Sequence, residues 1–492
     1  MNNNIKNNIN NQIEDISLKN IQLYKNPDNN WKTEKINGRI VEIPMDWGVF
    51  DNYLLFKKNK KSIYSPKEAL SNGTIPLFNC SEKQTLFMNN YISNKESILL
   101  STGGLPSIHY INEKHSYTTD VLSIDILDIN SKYYYYYFKT NIKLLEISFQ
   151  GSGLKHLSKT LFEKLKLYLP TIREQKKIVS ILTKQETLIE EKQEYLRKYI
   201  KQRTYFQQEL LSGRLRIKLT KEAQSIALKI GYITQDFIVL DDKEIKIFEI
   251  VENKKEDFEK WINEDFYKKI EFYKNPDNNW KNEKINGRIL EIPMDWIVKK
   301  IGDIAIFFPG FAFKENEVTD KKTLYKLLKI GNIDFEGQYK YISNNQLYLK
   351  NPNNRFILNS GDIILAMDDL TPTAEFIGTT VIVKEKNTFL NQRIGTFKNL
   401  KSNNYFFHYL INQNQKFFKQ IATGSTAKNL SKKSIENLKL PLPTTKTEQT
   451  LISTQLTKLD NIIDKLEEEI KKEEKQFTYL KQELLSGRLR IK

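Results

Sequence analysis

A long segment that occurs twice limits what this chain can fold into. The first copy covers residues 169–218 and the second covers residues 442–492. Each copy opens with Leu-Pro, and proline disfavours helix at the residue before it. Each copy then lacks Gly and Pro until a Leu-Ser-Gly, where Gly213 and Gly487 have the position of left-handed helix caps. The pattern predicts two long helices.

Both copies carry a seam of apolar residues. In the second copy these residues recur at seven-residue spacing, the a/d pattern of a coiled coil. In the first copy Gln185, Lys192 and Arg203 interrupt the seam. Two matched seams predict that the helices pair with each other, and the alternative is two amphipathic helices that lie on a core. The residues predicted to pair are Leu182, Ile189, Leu196, Leu210, Leu456, Ile463, Ile470, Phe477 and Leu484.

Composition narrows the class of protein. The chain has 492 residues, of which 39% are hydrophobic, so it is expected to be globular with several domains. A formal charge of +17 suggests a nucleic-acid partner, although AT-rich codons would also produce abundant Lys, Asn and Ile. A single cysteine, Cys80, permits no disulfide within the chain, which fits the cytoplasm. No apolar run approaches the roughly 20 residues that span a bilayer, so we expect no membrane partner.

A second repeat divides the chain into two similar halves. Residues 24–47 and 273–296 differ only at Thr33/Asn282 and Val41/Leu290, which indicates a tandem duplication. The first half is predicted to contain an N-terminal lead segment (1–47), a variable domain (48–168) and a long helix (169–218). The second half is predicted to contain a linker or insertion with the second lead segment (219–296), a second variable domain (297–441) and a second long helix (442–492).

The variable domains contain short runs of β-branched and aromatic residues between Gly and Asn, which predicts mixed, β-rich folds. In the first domain the predicted strands lie near Ser97, near Tyr117 and at Tyr133–Phe138, and in the second near Leu324 and within 361–367 and 377–397. Each domain ends with a Gly/Ser loop and then a short helix, for which Ser158 and Ser431 are predicted N-caps. The stretch 219–268 matches nothing else in the chain; it predicts a hairpin turning at Asp241-Asp242 and then a helix.

The sequence lacks the motifs of common catalytic sites. It has no GxxxxGK[ST] phosphate loop, no GxSxG elbow and no HExxH zinc site. A metal-dependent nuclease using Asp236, Glu244 and Lys246 is one open alternative, because a carboxylate followed by Glu-x-Lys has the required form. Catalytic, cofactor-binding and metal sites are otherwise not predicted in this chain.

Binding to DNA is the better supported interpretation of the variable domains. Lysine and arginine neutralise phosphates, while Asn, Gln and Arg read base edges in the major groove. Loops rich in these residues provide the candidates. They are Lys57, Lys58, Lys60, Lys61, Ser152, Lys155, His156, Lys159, Asn391, Gln392, Arg393, Ser425, Thr426, Lys428 and Asn429.

The order of these blocks resembles the specificity (HsdS) subunit of type I restriction-modification systems. The similarity rests on EIPMDW before each variable block, on a GSGLKHLS-like loop at its end, on Leu-Pro followed by Glu-Gln at Glu174 and Glu448, and on QELLSGRLR at each helix end. The resemblance implies an α+β fold. Two β-rich target recognition domains would be separated by two long antiparallel coiled-coil helices with pseudo-twofold symmetry.

The resemblance also implies a role in host defence without catalysis. Each recognition domain would read half of a bipartite double-stranded DNA target, and the helices would dock two methyltransferase (HsdM) subunits. S-adenosylmethionine, ATP and Mg would belong to those and to the motor-nuclease (HsdR) subunits, with no cofactor in this chain. The alternatives are the specificity subunit of a type IIB-like system, the nuclease above and a coiled-coil scaffold that reads no sequence.

The length of the helices predicts the spacing of the two half-sites. About 36 helical residues would span roughly 54 Å. One turn of DNA is about 34 Å, so half-sites between one and two turns apart are within reach.

Overall fold

A computed structural model describes residues 22–240, 243–333, 347–350, 354–369, 373–424 and 427–492. The chain forms two compact units, one of Met1–Tyr195 with Leu466–Lys492 and the other of Leu196–Lys465. The limits of the units fall within the long helices, so each unit contains one variable domain and part of both helices. The predicted α+β class is confirmed.

The repeated segments form two helices of 40 residues each, Ile172–Leu211 and Lys446–Leu485. The hydroxyl of Thr171 accepts a hydrogen bond from the Glu174 N–H, which caps the start of the first helix. Gly213 and Gly487 follow the helix ends with φ of +74° and +77°. This left-handed conformation is favourable for glycine and costs free energy for most other residues.

The two helices pair antiparallel in the first unit. Leu182 shares a core cluster with Leu484, while Lys192, ten residues further along, lies 3.2 Å from the carboxylate of Glu469. Rising numbers in one helix therefore match falling numbers in the other. Leu182, Ile189, Ile470 and Leu484 are buried in this pair, and Phe477 is half-buried.

The polar residues that interrupt the first seam are paired across it. Lys192 is 5% exposed and its ammonium lies 3.2 Å from Glu473 as well as from Glu469. The Gln185 amide donates a hydrogen bond to the Glu473 carboxylate. Since a buried polar group costs free energy unless it is hydrogen-bonded, these contacts favour one register of the two helices.

The second unit repeats the antiparallel pairing. Leu210 shares a core cluster with Leu456, and the Arg203 guanidinium donates to Asp460 at 3.0 Å. Ile463 is buried and Leu196 is half-buried. The predicted pairing of the helices is thus seen in each unit taken by itself.

Each lead segment folds into a β-hairpin beside the helix end. The hairpins are Trp31–Ile36 with Arg39–Pro44, and Trp280–Ile285 with Arg288–Pro293. Asn37 at the turn of the first hairpin has φ +51°, and its side chain donates to the Lys166 carbonyl at 2.9 Å. The hairpin tip is therefore fixed to the last strand of the variable domain.

A buried arginine joins each hairpin to both helices. In the first unit the Arg490 guanidinium, 7% exposed, donates to Asp46 at 2.7 Å and to Glu174 at 2.7 Å. In the second unit the Arg216 guanidinium, 3% exposed, donates to Asp295 at 2.8 Å and to Glu448 at 2.6 Å. We call each group of one arginine and two carboxylates a clasp; the two clasps are Arg490–Asp46–Glu174 and Arg216–Asp295–Glu448.

Strand pairing completes the junction at each clasp. Leu23–Lys25 pairs antiparallel with Leu489–Ile491, and Leu215–Leu219 pairs antiparallel with Ile270–Lys274. The first junction unites the two ends of the described chain, whereas the second unites segments on either side of the insertion. Both units are therefore built on one plan from differently connected segments.

The variable domains share a topology despite their different sequences. Each has a four-stranded antiparallel sheet in which the last strand lies between the first and the second, and a further sheet with one parallel pair, which has three strands in the first domain and five in the second. In the first domain the four strands, in their order across the sheet, are Phe56–Lys58, Val121–Ile126, Ser97–Ser101 and Ile108–Ile111. In the second domain they are Ile306–Pro309, Ile394–Lys398, Ile363–Ala366 and Thr380–Ile382.

The smaller elements complete each domain. In the first they are Gly48–Asp51, Ile75–Phe78, Leu86–Met88, Ser116–Tyr117, Phe149–Gln150, His156–Leu157 and Lys166–Leu169, with helices Ser131–Thr140, Ile142–Glu146 and Lys159–Glu163. In the second they are Trp296–Lys300, Val318–Thr319, Lys326–Leu328, Leu347–Leu349, Ile357–Leu358, Asp368–Asp369, Thr388–Leu390, Lys428–Asn429 and Lys439–Pro443, with helices Ile301–Ile304, Asn404–Gln413, Gln415–Ile421 and Lys432–Asn437.

One predicted strand is wrong. Tyr133–Phe138 lies in the helix Ser131–Thr140, and five of its six residues are buried in the core of the first domain. The side chain of Asn130 caps this helix by accepting from the Tyr133 N–H at 2.9 Å. Aromatic residues favour strands on average, but burial against the sheet and a strong N-cap outweigh that preference in this segment.

The insertion also has its own elements. They are the helix Lys221–Lys229, the hairpin Ile233–Leu240 with Lys243–Ile250, and the helices Lys255–Asn263 and Phe266–Lys269. The predicted turn, Asp241-Asp242, lies outside the described residues. Phe258 and Phe266 anchor the insertion in the core of the second unit.

We predict that Arg490→Ala destabilises the first junction by about 3–5 kcal/mol, because it leaves Glu174, whose side chain is only 12% exposed, without its cation. Hydrogen exchange of the paired strands Leu23–Lys25 and Leu489–Ile491 measures the effect. Arg488→Ala is the matched control: Arg488 is 54% exposed and pairs with Glu483, so we expect about 1 kcal/mol or less. Equal effects of both variants would contradict the importance of the clasp.

We predict that Lys192→Glu destabilises the helix pair, because it places a third carboxylate beside Glu469 and Glu473. Adding Glu473→Lys should restore much of the loss, and a double-mutant cycle by urea unfolding measures the coupling. The exposed Lys184→Glu serves as the control and should change stability by about 0.5 kcal/mol or less. Additive effects of the two seam substitutions would refute the pairing.

Candidate nucleic-acid interface

Three loops of the first domain meet at one edge of its four-stranded sheet. The Thr102 N–H donates to the Asp120 carbonyl at 2.9 Å, and the Leu157 N–H donates to the Thr102 carbonyl at 3.0 Å. The Gly104 N–H donates to the Lys155 carbonyl at 3.0 Å. The loops 102–107, 118–120 and 151–156 therefore form one continuous surface, which we call the loop edge.

The loop edge of the first domain presents apolar tips among polar and basic residues. Leu105 and Leu154 are 86% and 69% exposed. The Ser101 hydroxyl fixes the loop around Leu105, because it donates to the Leu105 carbonyl at 3.0 Å and accepts from the Ser107 N–H at 2.8 Å. The loops that carry Leu105 and Leu154 are joined by the Gly104–Lys155 hydrogen bond, so the loop edge combines exposed apolar and basic side chains.

Several predicted DNA-binding residues lie at or beside this edge. Ser152, Lys155 and His156 belong to one of its loops and are exposed, and Lys159 follows in the next helix. Lys60 and Lys61 belong to a segment that lies next to loop 118–120, where the Thr119 N–H donates to the Tyr64 carbonyl at 2.8 Å. The remaining two candidates, Lys57 and Lys58, lie on the strand Phe56–Lys58, and Lys58 is ion-paired with Glu163.

The second domain has the equivalent loop edge. The Met367 N–H donates to the Arg393 carbonyl at 2.9 Å, and the Leu430 N–H donates to the Met367 carbonyl at 2.8 Å. Asp368–Asp369 pairs with Lys428–Asn429. Among the predicted residues the fold brings together Asn391, Gln392, Arg393, Lys428 and Asn429, while Ser425 and Thr426 lie outside the described residues.

Sequence reasoning missed two residues of the second loop edge. Asp368 lies 3.7 Å from the Arg393 guanidinium. Phe311 is 43% exposed and stacks on Phe356 with ring centroids 4.9 Å apart. One indirect signal for Phe311 is present in the sequence, because the Pro-Gly pair before it marks a turn. In the structure this turn lies against the loop of Arg393, where a side chain at Gly310 would collide with the Asn391 carbonyl.

The two loop edges differ at the position that precedes the central strand. In the second domain Arg393 precedes Ile394–Lys398, and in the first domain Asp120 precedes Val121–Ile126. Asp120 is engaged internally, since its carboxylate accepts from the Thr118 hydroxyl and its carbonyl from the Thr102 hydroxyl at 2.6 Å. One scaffold thus presents a cation in one domain and an anion in the other.

The residues of the nuclease alternative do not converge. Phe237 pairs with Lys246 and Val239 pairs with Glu244, so the side chains of Glu244 and Lys246 share one face of the hairpin. Asp236 is adjacent to Phe237 and projects from the opposite face. Within the described residues no group of three His, Cys, Asp or Glu side chains could hold a metal ion.

Two further observations bear on the class of protein. Burial raises the pKa of the Cys80 thiol, which disfavours the thiolate needed for nucleophilic chemistry. In the part of the chain that the structure describes, no helix combines the length and apolar character needed to cross a bilayer.

The chain is similar in sequence and in fold to specificity subunits of type I restriction systems. The chain is 25% identical over 480 residues to the type I restriction enzyme MjaVIII specificity subunit of Methanocaldococcus jannaschii, covering 92% of this chain and 95% of that protein. Its fold is similar to the S subunit of a type I restriction-modification system from M. genitalium, with a TM-score of 0.58 at 14% identity, covering 89% of this chain and 96% of that one. The HsdS subunit from Thermoanaerobacter tengcongensis matches with a TM-score of 0.34 at 10% identity over 91% of this chain and 98% of its own.

The family comparison identifies both halves of the chain. Residues 44–198 and 293–475 each match the type I restriction modification DNA specificity domain. These ranges make up more than half of the chain, and each contains one variable domain with most of the long helix that follows it. The chain therefore belongs to the family of DNA specificity subunits of type I restriction-modification systems.

Proposed function

We propose that this chain recognises a bipartite double-stranded DNA target, with each loop edge reading one half-site, and that it performs no catalysis of its own. The observation that carries the proposal is the repeated loop edge. The same main-chain hydrogen bonds join the loops in both copies, but the residue before the central strand is Asp120 in one copy and Arg393 in the other. Two readers on one scaffold suit a target with two different halves.

We further propose that two copies of a methyltransferase (HsdM) subunit bind the repeated parts of the chain. The repeated lead segments 24–47 and 273–296 differ at only two of their 24 aligned positions, although the variable domains have diverged. Exposed residues are among those retained: Ile40 is 78% exposed and Ile289, its counterpart, is 75% exposed. Near-identical surfaces present twice suit two copies of one partner.

The chemistry of the complex would then belong to its other subunits. Methyltransferase subunits would supply S-adenosylmethionine, and motor-nuclease (HsdR) subunits would supply ATP and Mg. The place of action would be the cytoplasm, where the DNA is. The clasp arginines and carboxylates already bind one another, so they are structural groups in this proposal.

The paired helices would set the distance between the half-sites. A helix of 40 residues is about 60 Å long, which exceeds one turn of DNA, about 34 Å, and is less than two. The polar contacts of Lys192 and Arg203 across the seam would hold the two helices in one register.

We predict that Lys155→Ala weakens DNA binding and lowers the slope of log K against log salt by about one, because one phosphate contact is lost. Binding of the chain with its methyltransferase to a target duplex, titrated at several salt concentrations, measures the slope. Lys58→Ala should leave the slope unchanged, since Lys58 is already paired with Glu163. An unchanged slope for Lys155→Ala would exclude that loop from contact with phosphate.

We predict that one additional heptad in the middle of each long helix lengthens the tolerated DNA spacer. Seven residues add about 10 Å, the length of about three base pairs, while the seam pattern is kept. Methylation of a library of targets with different spacers measures the change. In the control variant one existing heptad of each helix is replaced by another heptad, so the length of the helix is unchanged. A variant that keeps the original spacer would refute the role of the helices as a ruler.

A further inference from the structure

The backbone of Arg393 adopts a conformation that few side chains adopt. Its φ is +69°, in the left-handed region that is favourable for glycine and costly for arginine. The surrounding backbone holds it there: the Met367 N–H donates to the Arg393 carbonyl at 2.9 Å, and the Gln392 N–H donates to the Phe311 carbonyl at 2.9 Å. Such strain persists where neighbouring structure enforces it, and it is frequent at binding sites.

Asp368 lies beside the Arg393 side chain on the adjacent segment. One carboxylate oxygen lies 3.7 Å from Nε of Arg393, and the other accepts a hydrogen bond from the Asn429 side chain. The Arg393 side chain is nevertheless 44% exposed, whereas that of Asp368 is 22% exposed. Among the described residues, Arg393 forms no other ion pair, so the terminal nitrogens of its guanidinium remain available.

This arrangement provides a forked donor on an ordered support. The guanidinium is planar, and its two terminal nitrogens match the spacing of two acceptors in one plane. Guanine offers such a pair in the major groove, N7 and O6, whereas adenine presents N7 beside an N–H donor. The Asp368 carboxylate lies beside Nε, so it leaves the two terminal nitrogens for other acceptors.

We propose that Arg393 reads a guanine in the half-site of the second domain through N7 and O6, and that Asp368 is the positioning residue. The inference rests on the proposed function, because it assumes that this loop edge faces DNA. The first domain has Asp120 at the equivalent place, so its half-site lacks this contact. The two domains would therefore differ in sequence preference at this position.

A surface ion pair without a function would not require this geometry. Arginine and aspartate can pair on any two neighbouring strands without a left-handed backbone, and such pairs contribute little to stability. Asn or Gly would fit the turn at Arg393 with less strain. The strained turn, the buttressing carboxylate and the exposed guanidinium are together explained by recognition of a base.

The first experiment maps methylated sites in cells that express the chain with its methyltransferase. Arg393→Gly should relax one guanine position of one half-site while the other positions stay fixed, and the variant should fold because glycine favours the observed φ. Lys398→Ala removes a cation from the same sheet and should leave the sequence unchanged. Asp368→Asn should weaken discrimination at that same position, whereas a merely structural role would weaken the whole half-site.

The second experiment tests the atoms involved. In duplexes carrying the mapped target, 7-deazaguanine replaces one guanine at a time and removes its N7 acceptor. At one position the wild-type chain should lose roughly 5- to 150-fold in affinity. Arg393→Gly should bind that modified duplex and the normal duplex equally.

The outcomes separate this inference from the proposed function. If the wild-type chain directs methylation to no bipartite sequence, the proposed function fails and the inference fails with it. If the wild-type chain is specific and Arg393→Gly directs methylation to the same sequence, the inference alone is overturned. Equal sensitivity of the wild-type chain and the variant to 7-deazaguanine overturns it as well.

Discussion

The arrangement of this protein depends on two buried arginines that each bind two carboxylates. Burial disfavours the charge of Arg490, but its hydrogen bonds to Asp46 and Glu174 outweigh this and raise the pKa of the guanidinium. The Arg490 hydrogen bond in turn lowers the pKa of Asp46. A guanidinium buried without such partners would cost several kcal/mol. The end of one helix, the start of the other and the lead hairpin are thereby held together.

The clasp explains why parts of the sequence recur while others do not. Each unit needs the same arginine, the same carboxylates and the same glycine at the helix end, where a side chain on Gly487 would collide with Pro44. The loop edges carry no such requirement, because their backbones are fixed by main-chain hydrogen bonds. Side chains there differ between the units, as Asp120 and Arg393 do, while the hydrogen bonds that join the loops recur.

The sequence predicts local features of this fold better than its long-range contacts. The long helices, their glycine caps and the N-caps Ser158 and Ser431 follow from patterns within a few residues, and all are observed. The clasp could not be predicted, because Arg490 and Asp46 are 444 positions apart. For the same reason the sequence identified Arg393 as a candidate but did not identify Asp368, whose role depends on the pairing of two loops.

The polar interruptions of the first seam show how an imperfect heptad can specify a structure. A seam of leucine and isoleucine does not by itself distinguish the observed register from one shifted by a heptad, which is about 10 Å. Slippage would leave Lys192 buried away from Glu473, and Arg203 away from Asp460. Buried ion pairs contribute little net stability compared with apolar residues, but an unpaired buried charge is costly. These residues therefore favour one register, and under the proposed function a single register would give the helix pair the defined length that two spaced half-sites need.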